Sequence, residues 1–344
     1  MKAMVSFAMA SVPLFFSTLP GTAEERFPGP TKLIVVPNAS ARLIELTAVI
    51  NVTNESPTHV RKYFFRVTMP PSDLLYQCAR LTSSIPDSVQ KKHGNGIDQY
   101  LELKLALPAH RTITRKVNFL VLLVPVDYQK VSALVVPEKE KRSVTEYLHP
   151  AALVESDAPE VKQAAASLFA DRVSDFDRAR AAYEYPARVL KYRVQPPAGA
   201  LRAIQTGSGD CTEYACLFCA LCRAGGVPAR RAAAFNLGSK TELTVEQPNH
   251  DLAEVFLAAY GWVPVDPNVG GGKYDRPVGF AKAGNTAIVL KREDAWVWST
   301  FLPPDGLTPS SSKPGIKAEV KWQVQVVREG TLEKLHTEFL KGNP

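Results

Sequence analysis

The segment Gln205–Cys222, "QTGSGDCTEYACLFCALC", contains four of the five cysteines in this chain of 344 residues. Its glycines and serine predict a loop, Asp210 is a suitable N-cap, and Thr212–Cys222 reads as a helix that ends at a Gly-Gly pair. Cys211 is therefore expected at the N-terminus of this helix. The unpaired N–H groups and the positive end of the helix dipole favour a thiolate there. The sequence thus predicts Cys211 as a nucleophile.

The other three cysteines of this segment lie in "YACLFCALC", which is apolar on all sides and predicts a buried helix. Buried cysteines pack as small hydrophobic residues. The alternative is an iron–sulfur cluster on a Cys-x2-Cys-x2-Cys motif formed by Cys216, Cys219 and Cys222. Successive steps of three residues place the three thiols at progressively different angles around the helix axis. No fourth cysteine ligand follows in the ferredoxin pattern. We therefore expect no metal ion and no cofactor.

A nucleophilic cysteine needs a base, and the base needs an orienting group. Of the six histidines, His250 has the best position, because it begins the strand "HDLAEVFL", which turns and returns as "WVPVD" to end at Asp266. The two side chains share a face only if this hairpin has an odd register, which a loop of odd length or a β-bulge would give. A loop of Ala258–Tyr260, for example, would place Leu252 opposite Asp266. With that register, Cys211, His250 and Asp266 form the predicted catalytic triad.

Composition and charge restrict the partners of this chain. Residues 1–23 contain a lysine, an apolar run and a group of small residues, which is the layout of a secretory signal peptide. We expect cleavage after Ala23, an exported protein that is periplasmic or secreted, and no stable membrane insertion afterwards. The formal net charge is +7, but the basic residues are scattered among 34 acidic ones. This distribution argues against a nucleic-acid surface, and the clustered cysteines argue against a disulfide framework.

The pattern of apolar, polar and turn-forming residues divides the chain into regions. Residues 27–137 read as strands broken by Pro, Asn and Gly, which predicts an antiparallel β-sandwich-like domain. Residues 147–300 combine helices with later strands, as expected for a catalytic domain of α+β class. A Pro/Ser-rich linker at 301–315 precedes a C-terminal strand and tail at 316–344, whose apolar and polar residues alternate.

Three blocks, in this order, resemble the core of the transglutaminase-like superfamily: "GDCTEYACLFCALCRAGGVPARRAAAF", "HDLAEVF" and "GWVPVDPNVG". The resemblance covers about Tyr147–Gly270. It implies a papain-like α+β fold with helices packed on an antiparallel sheet, a Cys-His-Asp triad at the three positions inferred above, and a protein or peptide substrate. Leu252 departs from the family pattern, which usually has Trp there. Pro186 also departs from it, because it is expected to kink or restart a helix that is usually continuous.

Two further residues are candidates for the site. Gln205 lies six residues before Cys211, the spacing at which papain-like proteases carry a glutamine of the oxyanion hole. The backbone N–H of Cys211 is another candidate donor. Glu254, four residues after His250, is expected either to support the site or to pair with one of the two arginines Arg230 and Arg231.

The residues and the resemblance together predict an exported cysteine-dependent acyl-transfer enzyme. It would act on carboxamide or peptide carbonyls through a thioester acyl-enzyme. One alternative is a cysteine peptidase or amidase that uses the same triad only for hydrolysis. Another is a non-catalytic binding module on the same scaffold.

Overall fold

The computed structural model describes residues 40–83, 88–92, 99–128, 144–268, 278–292 and 315–341. The predicted signal peptide, the sequence "TKLIVV" and the Pro/Ser linker lie outside these residues. No helix in the described part of the chain is long and apolar enough to span a bilayer.

The N-terminal part consists of antiparallel strands. In chain order they are β1 (Ser40–Asn54), β2 (Val60–Met69), β3 (Gln77–Leu81), β4 (Ser88–Lys92), β5 (Gln99–Leu107), β6 (Arg111–Leu123) and β7 (Val126–Asp127). Strands β1, β3 and β6 belong to one sheet, and β2, β4 and β5 form a second. Alternate side chains of both sheets meet in one apolar core that includes Ile44, Leu46, Phe65, Val67, Leu103 and Phe119. This part of the chain is therefore a β-sandwich.

The second part combines helices with another antiparallel sheet. After a 3-10 helix (Thr145–Leu148), its elements are α1 (Pro159–Phe169), α2 (Asp175–Val189), β8 (Lys191–Tyr192), α3 (Gly199–Thr206), β9 (Ser208–Gly209), α4 (Cys211–Ala224), β10 (Ala229–Asn236), β11 (Glu242–Val245), β12 (His250–Leu257), β13 (Gly261–Val265), β14 (Val278–Gly279), β15 (Lys282–Ala283) and β16 (Ala287–Lys291). The main sheet has the order β13-β12-β10-β16. Helix α4 packs on β10 and β12, and α1, α2 and α3 pack around α4. The α+β fold, with helices on an antiparallel sheet, is confirmed.

The C-terminal region is part of the N-terminal sheet. It contains β17 (Ile316–Thr331) and α5 (Leu332–Lys341). Strand β17 pairs with β1 along its whole length and carries β11 on its other edge, so the sheet order is β11-β17-β1-β6-β3. The alternation in β17 buries Trp322 and Val324 in the sandwich core. A strand that was set apart by a linker in the sequence therefore completes the sandwich, because its apolar face needs a sheet to cover it.

Helix α2 runs without a break from Asp175 to Val189 and includes Pro186. Proline at this position removes one N–H donor, but its carbonyl still accepts the N–H of Leu190 at 2.9 Å. The proline lies in the last turn of the helix. The helix therefore does not restart at Pro186, and that part of the prediction is wrong.

The sandwich and the main sheet are joined by a buried amide. The Nε2 of Gln77 donates to the carbonyl of Val289 at 2.9 Å, and its Oε1 accepts the N–H of Val289 at 2.8 Å. Phe235 and Ile288, from the main sheet, contribute to the sandwich core. The two parts therefore share apolar packing as well as hydrogen bonds.

Candidate active site

The N-terminus of α4 is held by a capping box, in which Asp210 is the N-cap. Its Oδ1 accepts the N–H of Thr212 at 2.9 Å, and its own N–H donates to Oε2 of Glu213 at 3.0 Å. Cys211 is the first residue of the helix and is partly exposed. Within the described residues, nothing accepts a hydrogen bond from its backbone N–H. That N–H is therefore a donor directed at whatever binds beside the thiol.

The buried carboxylate of Glu213 also shapes the loop before Cys211. Its Oε1 accepts the N–H of Ala198 at 2.8 Å. A Cβ at Gly209 would lie 2.3 Å from the Cβ of Glu213, so only glycine fits there. The motif Asp-x-x-Glu indicates a capping box. The role of Glu213 was not predicted, although this motif could have identified it.

The hairpin of β12 and β13 has the odd register that the triad requires. Leu257 pairs with Gly261, so the loop consists of residues 258–260 and the register brings Leu252 level with Asp266. His250 is two residues before Leu252 and lies on the same face of the sheet. The Nε2 of His250 is 3.0 Å from Oδ2 of Asp266. Both residues are buried, with exposed fractions of 8% and 1%.

The Asp266 carboxylate is itself fixed by its neighbours. Its Oδ1 accepts the N–H of Asn268 at 3.1 Å, and its backbone N–H donates to the carbonyl of Gly279 at 3.2 Å. The contact with Asn268 is an Asx turn immediately after the strand. Oδ2 therefore points at His250 in a defined direction.

Burial alone would lower the pKa of His250, but the hydrogen bond with Asp266 and the nearby thiol of Cys211 outweigh burial and raise this pKa to about 10. The imidazole therefore carries a proton at neutral pH. The site can thus place an imidazolium beside a sulfur nucleophile.

A buried ion pair that was not predicted from the sequence joins β10 to the strand that carries His250. The Nη2 of Arg231 is 3.0 Å from Oδ2 of Asp251, and both side chains are almost completely buried. Asp251 follows His250, and the Thr212 side chain, which follows Cys211, faces the same carboxylate. The ion pair therefore lies directly behind the candidate triad. The spacing of two oppositely charged residues in the sequence does not show that they will pair and be buried on adjacent strands.

Gln205 does not face the thiol. Its side chain is exposed, and its Nε2 donates to Oε1 of Glu160 on α1 at 3.3 Å. Because its side chain on α3 points towards Glu160, the structure gives no support for Gln205 as an oxyanion donor.

Glu254 pairs with an arginine. Its Oε2 accepts the Nε of Arg230 at 2.7 Å, and Oε1 accepts the hydroxyl of Tyr76 at 3.3 Å. Glu254 is four residues along β12 from His250, or about 13 Å at the rise of a strand. Of the two roles considered for Glu254, the structure therefore shows pairing with an arginine.

The remaining cysteines are packed inside the protein. Cys216, Cys219 and Cys222 have no exposed surface, and none of the five cysteines forms a disulfide. Burial raises the pKa of Cys216 and Cys222 well above the usual range for a thiol, and it raises the pKa of Cys78 to about 12. No group of three or more His, Cys, Asp or Glu side chains in the described segments is arranged to hold a metal ion. Cys211 is thus the partly exposed thiol of this chain.

Comparisons with known proteins agree with this geometry. A family profile described as the transglutaminase-like superfamily matches residues 162–267, which include Cys211, His250 and Asp266. An uncharacterized protein of Haemophilus influenzae is 35% identical over 75 residues, which are 17% of this chain and 20% of that protein. The match thus spans about a fifth of the length of this relative.

Two solved structures are similar to the chain. The crystal structure of a candidate cysteine protease from Cytophaga hutchinsonii superimposes with a TM-score of 0.54 at 16% identity, over 85% of this chain and 92% of that one. The periplasmic domain of TgpA from Pseudomonas aeruginosa has a TM-score of 0.32 at 15% identity, over 66% of this chain and 92% of that one. The first similarity extends the shared fold beyond the matched segment. Over residues 162–267, this chain carries the core domain of the transglutaminase-like superfamily.

Proposed function

We propose that this protein is an exported cysteine-dependent acyl-transfer enzyme in which Cys211 is the nucleophile, His250 the acid and base, and Asp266 the orienting group. The observation that supports the proposal is the contact of Asp266 with His250, whose pKa is also raised by the nearby thiol of Cys211 at the start of α4. The partly exposed thiol and the protonated imidazole suit the first step of acyl transfer.

In the first half of the reaction, the thiolate of Cys211 attacks a carboxamide or peptide carbonyl and forms a C–S bond. The negative charge on the tetrahedral oxygen is stabilised by the backbone N–H of Cys211. His250 gives its proton to the departing nitrogen as the C–N bond breaks, which leaves a thioester and a neutral imidazole.

In the second half, His250 removes a proton from water or from an amine, which attacks the thioester carbonyl. The C–S bond then breaks, and the thiolate and the imidazolium are restored. Asp266 keeps the ring in place throughout, because its Oδ2 is bonded to Nε2. Attack by water gives a peptidase or amidase, which is the alternative function, and attack by an amine gives a transferase.

The partial exposure of Cys211 supports hydrolysis as a competing outcome, because water can reach the thioester. The two outcomes can be separated with p-nitrophenyl acetate as acyl donor and glycine ethyl ester as amine. An acetylated amine in the products indicates transfer, and acetate alone indicates hydrolysis.

The same reagent tests the proposal as a whole. We expect one acetyl group on Cys211 by mass spectrometry, no acylation in Cys211→Ala, and acylation at least about 100-fold slower in His250→Ala. Cys78→Ala, which removes a buried thiol of the sandwich, is the matched control and should keep the wild-type rate. The proposal fails if another residue is acylated or if His250→Ala reacts as fast as the wild type. In that event the binding-module alternative becomes the better interpretation.

Export is the remaining part of the proposal, and it depends on the signal-peptide pattern of residues 1–23. N-terminal sequencing of protein recovered from a periplasmic extract should begin at Glu24. Recovery of the full-length chain from the cytoplasm would contradict export.

A further inference from the structure

A short parallel strand pair leads into Cys211. Strand β8 pairs with β9, and the N–H of Lys191 donates to the carbonyl of Gly207 at 2.9 Å. The N–H of Arg193 continues this ladder and donates to the carbonyl of Gly209 at 2.8 Å. Gly209 is two residues before Cys211, which is a span of at most about 7 Å. The main chain of Arg193 is therefore held within about 10 Å of the main chain of Cys211.

The side chains of Lys191 and Arg193 are both exposed to solvent. Tyr192, which lies between them, packs inwards, with its ring centroid 6.2 Å from that of the buried Tyr214. Neighbouring side chains of a strand point to opposite faces, so Lys191 lies on the outer face of β8. In the described part of the chain, no carboxylate pairs with Lys191 or Arg193.

The sequence around these two residues has charge of one sign. Residues 185–209, which end two residues before Cys211, contain four basic residues and no acidic one. Elsewhere the basic residues are scattered among acidic ones, as expected for a solvated surface. The positive charge beside the nucleophile is therefore a local feature and does not follow from the net charge alone.

The carboxylates on the elements that carry the triad already have partners. These partners are Arg231 for Asp251, Arg230 for Glu254, His250 for Asp266, and backbone N–H groups at or beside the start of α4 for Asp210 and Glu213. The positive end of the α4 dipole also opposes the charges of the last two carboxylates. These side chains therefore leave Lys191 and Arg193 available to an anion that approaches the thiol.

We propose that Lys191 and Arg193 form a cationic edge that attracts acyl donors with a carboxylate near the reacting carbonyl, as in an acidic peptide. This inference rests on the proposed function and specifies its substrate class. The edge acts through its charge, which requires only that the carboxylate comes close to it. It is part of the substrate-binding surface and takes no part in the chemical step.

The size of the effect follows from Coulomb attraction in water. One charge about 10 Å from an anion raises the local concentration of that anion about twofold, and two charges raise it about fourfold. The Debye length falls from about 30 Å at about 0.01 M salt to about 3 Å at about 1 M. The preference for an anionic donor is therefore expected at low salt and should disappear at high salt.

The test compares two acetate esters that transfer the same acetyl group to Cys211. One is p-nitrophenyl acetate, which is neutral, and the other is the acetate of 5-hydroxy-2-nitrobenzoic acid, which carries a carboxylate on the same nitrophenol ring. The measured quantity is the acylation rate of the anionic ester divided by that of the neutral ester. This ratio cancels any general change in the reactivity of Cys211.

At about 0.01 M salt, we expect the double variant Lys191→Gln/Arg193→Gln to lower this ratio about fourfold relative to the wild type. At about 1 M salt, the ratio of the wild type should fall to that of the variant. Arg115→Gln/Lys116→Gln is the matched control, because it removes two exposed positive charges from β6 of the sandwich. This control has the same net charge as the first variant and should keep the wild-type ratio.

The inference is overturned if the two double variants have the same ratio, or if salt leaves the ratio of the wild type unchanged. In either case acetylation of Cys211 by the neutral ester still supports the proposed function. If the neutral ester does not acetylate Cys211 in the wild type, the proposed function fails and this inference fails with it.

Discussion

Arg231 and Asp251 form an ion pair of 3.0 Å in the interior of the protein, and Asp251 is the residue that follows His250. Removing one charge of a buried pair leaves the other uncompensated, which costs about 3–5 kcal/mol. We expect Asp251→Asn to lower the free energy of unfolding by an amount of this order and to slow the alkylation of Cys211. Urea denaturation and labelling with iodoacetamide measure the two effects.

The control for this prediction is the exposed pair of Arg180 and Glu184, whose atoms are 3.5 Å apart. Glu184→Gln should change the free energy of unfolding by no more than about 0.5 kcal/mol. If Asp251→Asn is as stable as Glu184→Gln, the buried pair does not hold the site together.

The raised pKa of His250 predicts a pH dependence of stability. Because this pKa is about 10 in the folded protein and about 6.5 in an unfolded chain, the stabilising contribution is complete below pH ~6.5 and is lost as the pH rises towards ~10. We expect the difference in unfolding free energy between wild type and His250→Asn to shrink over this range in urea titrations. His336→Asn is the control, since burial lowers the pKa of His336 and its effect belongs to the acid side. A constant difference for His250→Asn would contradict the hydrogen-bonded imidazolium.

The burial of the thiols predicts which cysteines react. In the folded protein we expect iodoacetamide to modify Cys211 alone, because Cys216, Cys219 and Cys222 have no exposed surface and Cys78 is only 1% exposed. In guanidinium chloride all five cysteines should react. Peptide mapping by mass spectrometry gives both results. Labelling of Cys216 or Cys222 in the folded state would mean that α4 opens in solution.

The close approach between Gly209 and Glu213 predicts a steric effect of a single methyl group. A Cβ at Gly209 would be 2.3 Å from Cβ of Glu213, so Gly209→Ala has to displace the capping box. We expect a loss of about 1–3 kcal/mol in the free energy of unfolding and slower acylation of Cys211. Gly279→Ala is a matched control, because no atom lies within 4 Å of its added Cβ. Equal stability of the two variants would show that the loop before Cys211 adapts.

The direction of Gln205 predicts that its removal has little effect. Its amide is bonded to Glu160 at 3.3 Å on the exposed side of α3. We expect Gln205→Ala to retain the acylation rate of the wild type within about twofold, measured with p-nitrophenyl acetate. A loss of more than about 100-fold, as found for true oxyanion donors, would show that the side chain turns towards the thiol when an acyl group binds.

Local patterns in the sequence were sufficient for several features of this protein. Asp210 before an apolar run predicted the start of the helix at Cys211, because capping depends on groups only a few residues apart. Alternation of apolar and polar residues predicted the strands of the sandwich and the face of β17, since side chains of a strand alternate wherever the strand lies. The separation of His250 and Asp266 allowed only an odd register to join them, and the register observed is odd.

The tertiary structure decided the rest. The pairing of β17 with β1, the burial of Arg231 with Asp251, and the contact of Gln205 with Glu160 all join residues at least 20 positions apart. Such contacts depend on which surfaces meet after the chain has collapsed, and many pairings of similar strands and charges satisfy the same local pattern. Sequence alone therefore predicted the elements that bear Cys211, His250 and Asp266 and the pairing of His250 with Asp266. Only the packed protein determined which side chains surround those three residues.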